Sequence, residues 1–140
     1  MVYLDTSVVV AYYCPEELSG QVQKLLSEQE EPALSWLTEV ECASAVAKKV
    51  RAKELNSADA NRILAKFNSH IEMGLFQVIM VENYHWQLAK GWISLLTTPL
   101  RTLDALHLAI AANEELQLVT ADKPLFQAAR SLGVDTHLLK

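Results

Sequence analysis

Short apolar runs alternate along the chain with longer stretches of helical spacing, and that alternation sets the predicted architecture. "VYL" (2–4) and "QLVT" (117–120) are the clearest runs of strand type. "FQVIMV" (76–81), β-branched and bounded by Gly74 and Asn83, predicts a third strand. "ALSW" (33–36), after Pro32, and "VDTHLL" (134–139) read as two less regular ones. Residues 16–29 place Leu18, Val22, Leu25 and Leu26 on one helical face. Residues 38–53 do the same with Val40, Ala43, Val46, Ala47 and Val50, and end in basic residues that suit a helix C-terminus. Residues 8–13 read as a short apolar helix. Asn56 or Ser57 can cap a helix to about residue 73, Asn83 one to Leu96, and Thr102 one to Glu115. Asp122 followed by Pro124 marks another helix start. Strands alternating with helices predict an α/β fold around a mostly parallel sheet of about five strands. Sites in such sheets form beyond the carboxyl ends of strands, which is where Asp5 and Asp122 stand.

The length of 140 residues suits one domain with a real core, and 51% apolar with 21% charged residues describes a globular chain. No apolar run approaches the roughly 20 residues needed to span a bilayer, so no membrane association is expected. The apolar start lacks a basic flank, which makes a secretory signal unexpected and cytoplasmic residence the default. Cys14 and Cys42 have no metal-binding spacing and read as reduced structural thiols. A net charge of −5 argues against coating nucleic acid by bulk electrostatics. It does not exclude a nuclease, because clustered active-site carboxylates lower the net charge themselves.

Four acids interrupt apolar sequence. Asp5 and Asp122 follow strand ends; Glu41, in "WLTEVECASAV", and Asp104, in "RTLDALHLAIAA", lie near the starts of helices. Each alone has an ordinary explanation: Asp5 as a helix cap, Asp104 as a first-turn charge favoured by the helix dipole. Together they suggest one cleft. Carboxylates gathered there repel one another unless a cation is bound, and oxygen donors without Cys or His select Mg²⁺ or Mn²⁺. Such an ion supports in-line attack of water on a phosphodiester.

"VYLDTSVVV", "SWLTEVECASAV", "RTLDALHLAIAA" and "LVTADKPLF" resemble, in order, the four signature segments of PIN-domain ribonucleases. The likeness is nearest to the compact VapC-type toxins of toxin–antitoxin pairs and spans nearly the whole chain. It implies a single PIN domain over residues 1–140 with a three-layer α/β/α sandwich, and Mg²⁺- or Mn²⁺-dependent cleavage of RNA. It also implies homodimerisation and inhibition by a cognate antitoxin. Asp5, Glu41, Asp104 and Asp122 match the four family acids in order. Asp5 and Asp104 would be the core metal ligands, Glu41 would complete the cluster, and Asp122 would hold a water or a second ion. Thr6, Ser7 and Thr120 match the accompanying hydroxyls, which orient carboxylates by hydrogen bonding.

Among the neighbours, Glu39 falls about 200° around the helix from Glu41, on another face. His107 is a ligand or general base, or else a packed, hydrogen-bonded histidine; the existing oxygen donors favour the latter. Arg101 and Lys123 each adjoin a site acid and could meet a phosphate. Lys48, Lys49, Arg51 and Lys53 are either a solvated helix end or an RNA- or antitoxin-facing edge. Trp36, Trp86, Trp92, Tyr12 and Tyr13 are core or interface material. The helices near 8–13 and 86–96 could supply a dimer or antitoxin surface. An aspartate-nucleophile phosphatase would need a DxD pair, but Ser7 stands two residues after Asp5. Isolated glycines exclude a P-loop or dinucleotide site. A non-catalytic PIN-like module, binding RNA or protein, is the alternative from another class.

Overall fold

A computed structural model of the chain describes residues 1–29 and 31–140. Five strands, β1 (Val2–Leu4), β2 (Ala33–Ser35), β3 (Gln77–Ile79), β4 (Gln117–Thr120) and β5 (Thr136–Leu138), form one parallel sheet in the order β3-β2-β1-β4-β5. β1 lies at the centre, with Tyr3 opposite Ala33 on one side and Leu118 on the other. All three β1 residues are buried, as a central parallel strand covered on both faces requires.

Side-chain alternation along the strands divides the core in two. Val2, Leu4, Leu34 and Val119 face α1 (Thr6–Tyr13), α2 (Ser19–Ser27), α3 (Trp36–Arg51) and α4 (Ser57–Glu72), packing against Val8, Val22, Cys42 and Phe67. Tyr3, Ala33 and Leu118 face α5 (Asn83–Ser94), α6 (Thr102–Asn113) and α7 (Lys123–Ser131), against Ala89, Leu106, Ile110 and Leu125. The result is a three-layer α/β/α sandwich. Strand connections run one way from β1 through β2 to β3, then the other way to β4 and β5. Right-handed crossovers therefore put the first helices on one face and the later ones on the other. The connections diverge between β1 and β4, and a crevice opens at the carboxyl ends of those two strands.

Several elements depart from the sequence pattern at their edges. Trp36 does not extend the second strand; it begins α3. The third strand covers only 77–79, with Phe76 buried in the core and Met80 exposed. α2 starts at Ser19. Glu82 and Arg101 occupy the N-cap positions of α5 and α6, one residue before the expected Asn83 and Thr102. The larger difference concerns α3, whose buried residues are Thr38, Cys42 and Val46, while Val40 is 71% exposed. Ser35 both ends β2 and caps α3, and its N–H donates to Thr38 Oγ1 at 3.3 Å. The strand exit thus fixes the helix rotation, and a threonine and a cysteine occupy the face expected for valine and alanines. No helix among the described residues is long and apolar enough to cross a membrane.

Candidate active site

Three of the four acids sit at helix N-termini. Asp5 leaves β1 and caps α1, its Oδ1 accepting from the Val8 N–H at 3.2 Å. Asp122 follows β4 and caps α7, accepting from the Leu125 N–H at 3.1 Å. Asp104 lies in the first turn of α6. Their negative charge meets the positive ends of three helix dipoles, which stabilises the carboxylates there. Glu41 reaches the same region from the second turn of α3.

The sequence-identified hydroxyls hold these carboxylates. Thr120 Oγ1 donates to Asp5 Oδ2 at 2.6 Å and accepts from the Asp122 N–H at 3.0 Å. Ser7 Oγ donates to Asp5 Oδ1 at 2.5 Å and accepts from the Ala121 N–H at 3.1 Å. Both hydroxyls therefore tie the loop after β1 to the loop after β4. Thr6 Oγ1 donates to Glu41 Oε1 at 2.8 Å. The same Glu41 oxygen meets His107 Nε2. On its other side His107 Nδ1 lies 2.6 Å from the Tyr3 hydroxyl, which lies 2.8 Å from Ser35 Oγ. Both imidazole nitrogens are thus engaged, and His107 is the packed, bonded histidine rather than a free ligand.

The electrostatics differ from acid to acid. Burial raises the Asp5 pKa above the ordinary carboxylate value, against the opposing effect of Ser7, Thr120 and His107. Burial also acts to raise Glu41, but the hydrogen bond and charge of His107, with Thr6, prevail and hold it below the ordinary range. Asp104 is raised by burial and then by the negative charges of Asp122, Asp5 and Glu41. It is half-buried, feels all three other acids, and accepts no side-chain or backbone hydrogen bond among the described residues. A carboxylate so placed fits a cation, and the all-oxygen donor set fits a hard divalent one. Among the described residues no group of three or more Asp, Glu, His or Cys side chains is arranged to hold a metal ion. Mg²⁺ asks for fewer protein ligands than that, since it keeps several waters and is bound through one or two carboxylates.

Arg101 and Lys123 are exposed at the starts of α6 and α7, beside Asp104 and Asp122, and neither is ion-paired among the described residues. Lys49 pairs with Glu16 at 3.1 Å and Glu54 at 3.8 Å, so one cation of the basic run is committed to structure. Glu39 takes no part in the site's hydrogen bonds. Tyr3 and Ser35 escaped sequence reasoning. A signal was present: a tyrosine inside a buried strand needs a partner for its hydroxyl, and Tyr3 shares a strand face with Asp5 two residues on.

The model of the PIN domain family matches residues 2–131. No curated protein sequence matches the chain. Among solved structures, the chain resembles VapC20 of Mycobacterium tuberculosis, a Sarcin-Ricin loop cleaving toxin, with a TM-score of 0.71 and 15% identity, covering 91% of this chain and 95% of that one. DNA-bound VapBC from Salmonella typhimurium gives a TM-score of 0.71 at 18% identity, with 100% of both chains covered. PAE2754 of Pyrobaculum aerophilum gives 0.66 at 25% identity, covering 91% of this chain and 84% of that one. Five parallel strands in this order, the crevice beside β1 and a family match over almost the entire length agree: the chain belongs to the PIN domain family.

Proposed function

We propose that the chain is a Mg²⁺- or Mn²⁺-dependent endoribonuclease, folded as one PIN domain and acting as the toxin of a toxin–antitoxin pair. The observation that carries this reading is Asp104, half-buried, without a hydrogen-bond partner among the described residues, and raised by its burial and by the charges of Asp122, Asp5 and Glu41 against the opposing charge of His107. Asp5 and Asp104 would hold the ion, with Glu41 and Asp122 completing the negative set. When bound, the ion supplies activation of a water and neutralisation of charge on the phosphoryl oxygen. The chain's own groups do the positioning. Thr120 and Ser7 fix both Asp5 oxygens, Thr6 fixes Glu41, and Arg101 and Lys123 approach the RNA backbone.

Likeness to a toxin and to a toxin–antitoxin complex supports an antitoxin partner, and the proposed toxin would act in the cytoplasm. Exposed apolar residues, Trp86 and Leu95 on and after α5 and Trp36 and Val40 on α3, offer surface for that partner and for a second copy of the chain. The reading is tested by incubating purified, antitoxin-free protein with total cellular RNA in Mg²⁺ or Mn²⁺. Fragmentation that requires the ion and disappears in Asp5→Asn and Asp104→Asn is expected. Intact RNA with folded wild-type protein would favour a non-catalytic binding module.

A further inference from the structure

We infer that Tyr3 and His107 form a buried positioning relay, running Ser35–Tyr3–His107–Glu41, that fixes Glu41 for metal binding. The inference rests on the metal-dependent reading of the site and names residues which that reading does not use. Tyr3 and Ser35 are fully buried and His107 is 2% exposed, so none of the three hydroxyl or imidazole groups can turn to water instead. The direction of the chain follows from its end. An ionised Glu41 only accepts, so His107 Nε2 must carry the proton that faces it. His107 Nδ1 meets the Tyr3 hydroxyl at 2.6 Å, and that hydroxyl meets Ser35 Oγ at 2.8 Å, so in either form of the imidazole the Nε2–H faces Glu41 and the ring is held from behind.

Geometry says what the relay does. Asp5 stands one residue past the end of β1 with extended backbone, so it continues the strand face that carries Tyr3 two residues before it. His107 is three residues after Asp104 on α6, one turn along the same side. β1 therefore places Asp5 directly and Glu41 through His107, while α6 carries both Asp104 and the histidine. Glu41 is the one acid of the four that sits within a helix rather than in its first turn or at its cap, and its side chain retains 25% exposure. Without Thr6 and His107, it would swing free. Their hydrogen bonds to Oε1 leave Oε2 for an ion. Groups that orient ligands in this way commonly govern affinity by about 10–100-fold.

The test uses Mn²⁺ alone as probe, with the full chain, reading affinity and the electron paramagnetic resonance spectrum of bound ion. His107→Leu keeps bulk but cannot donate; His107→Gln can. The relay requires that His107→Leu weaken Mn²⁺ binding by about 10-fold or more and alter the spectrum, with His107→Gln recovering much of both. If His107→Leu fails to fold, Tyr3→Phe, which removes one oxygen, must still weaken Mn²⁺ binding several-fold. Folded variants with wild-type affinity and spectrum would overturn the relay while leaving the metal site intact. Absence of Mn²⁺ binding by the wild type would instead overturn the reading on which the relay rests.

Discussion

Thr120 donates its hydroxyl proton to Asp5 Oδ2 at 2.6 Å, joining residues 115 apart in sequence across the seam between β1 and β4. The bond closes the crevice where the sheet's connections diverge, and its acceptor is nearly buried. Thr120→Val keeps the shape but leaves Asp5 Oδ2 and the Asp122 N–H unsatisfied. The expected loss is about 1–3 kcal/mol in denaturant unfolding at neutral pH. Activity should fall as well, since Asp5 is no longer held.

Asp104 carries the opposite sign. Its pKa is raised in the folded chain, so the folded state binds this proton more tightly than the unfolded one. Metal-free stability from this group is therefore lost as pH rises above the ordinary carboxylate value of 3.8 through the folded value. Asp5 acts in the same sense; Glu41, held low, acts in reverse, its contribution vanishing as pH falls. In chelator, Asp104→Asn should melt progressively higher than wild type as pH rises from about 4 to about 7. A growing wild-type advantage over that range would contradict the placement of Asp104 among uncompensated acids.

Arg101 and Lys123 are exposed and unpaired among the described residues, so substituting them should leave the fold intact. If each meets a phosphate of single-stranded RNA, replacing either with Gln makes the salt dependence of binding shallower. The expected change is about 0.7 in the slope of log affinity against log salt. Binding to RNA by an Asp104→Asn background, measured over a salt series, checks this without turnover.

α3 shows where sequence pattern fails. Val40 is 71% exposed and Cys42 fully buried, although only the valine was assigned to the core face. Val40→Asp should change stability by no more than about 0.5 kcal/mol, whereas Cys42→Asp buries an unpaired charge and should abolish cooperative unfolding. Thermal melts of the two variants decide.

The gathering of the candidate acids was legible in part because two strands each deliver an acid locally. Asp5 after "VYL" and Asp122 after "QLVT" needed only the rule that parallel sheets place sites at strand ends. The helix-cap reading of Asp5 also proved geometrically true: capping α1 and facing the crevice are one arrangement, with Oδ1 used for the cap and Oδ2 held by Thr120. What stayed hidden were links set by tertiary packing. Tyr3 meets His107 104 residues away, and His107 meets Glu41 66 residues away, and no local period encodes either. The rotation of α3 was hidden for a similar reason, being fixed by the strand exit at Ser35.

The central claim, one divalent ion shared by acids from β1 and α6, is tested most directly by anomalous diffraction from crystals soaked in Mn²⁺. The expected result is a manganese peak at bonding distance from carboxylate oxygens of Asp5 and Asp104, with Glu41 or Asp122 nearby. A peak away from these residues, or none at saturating Mn²⁺, would contradict it.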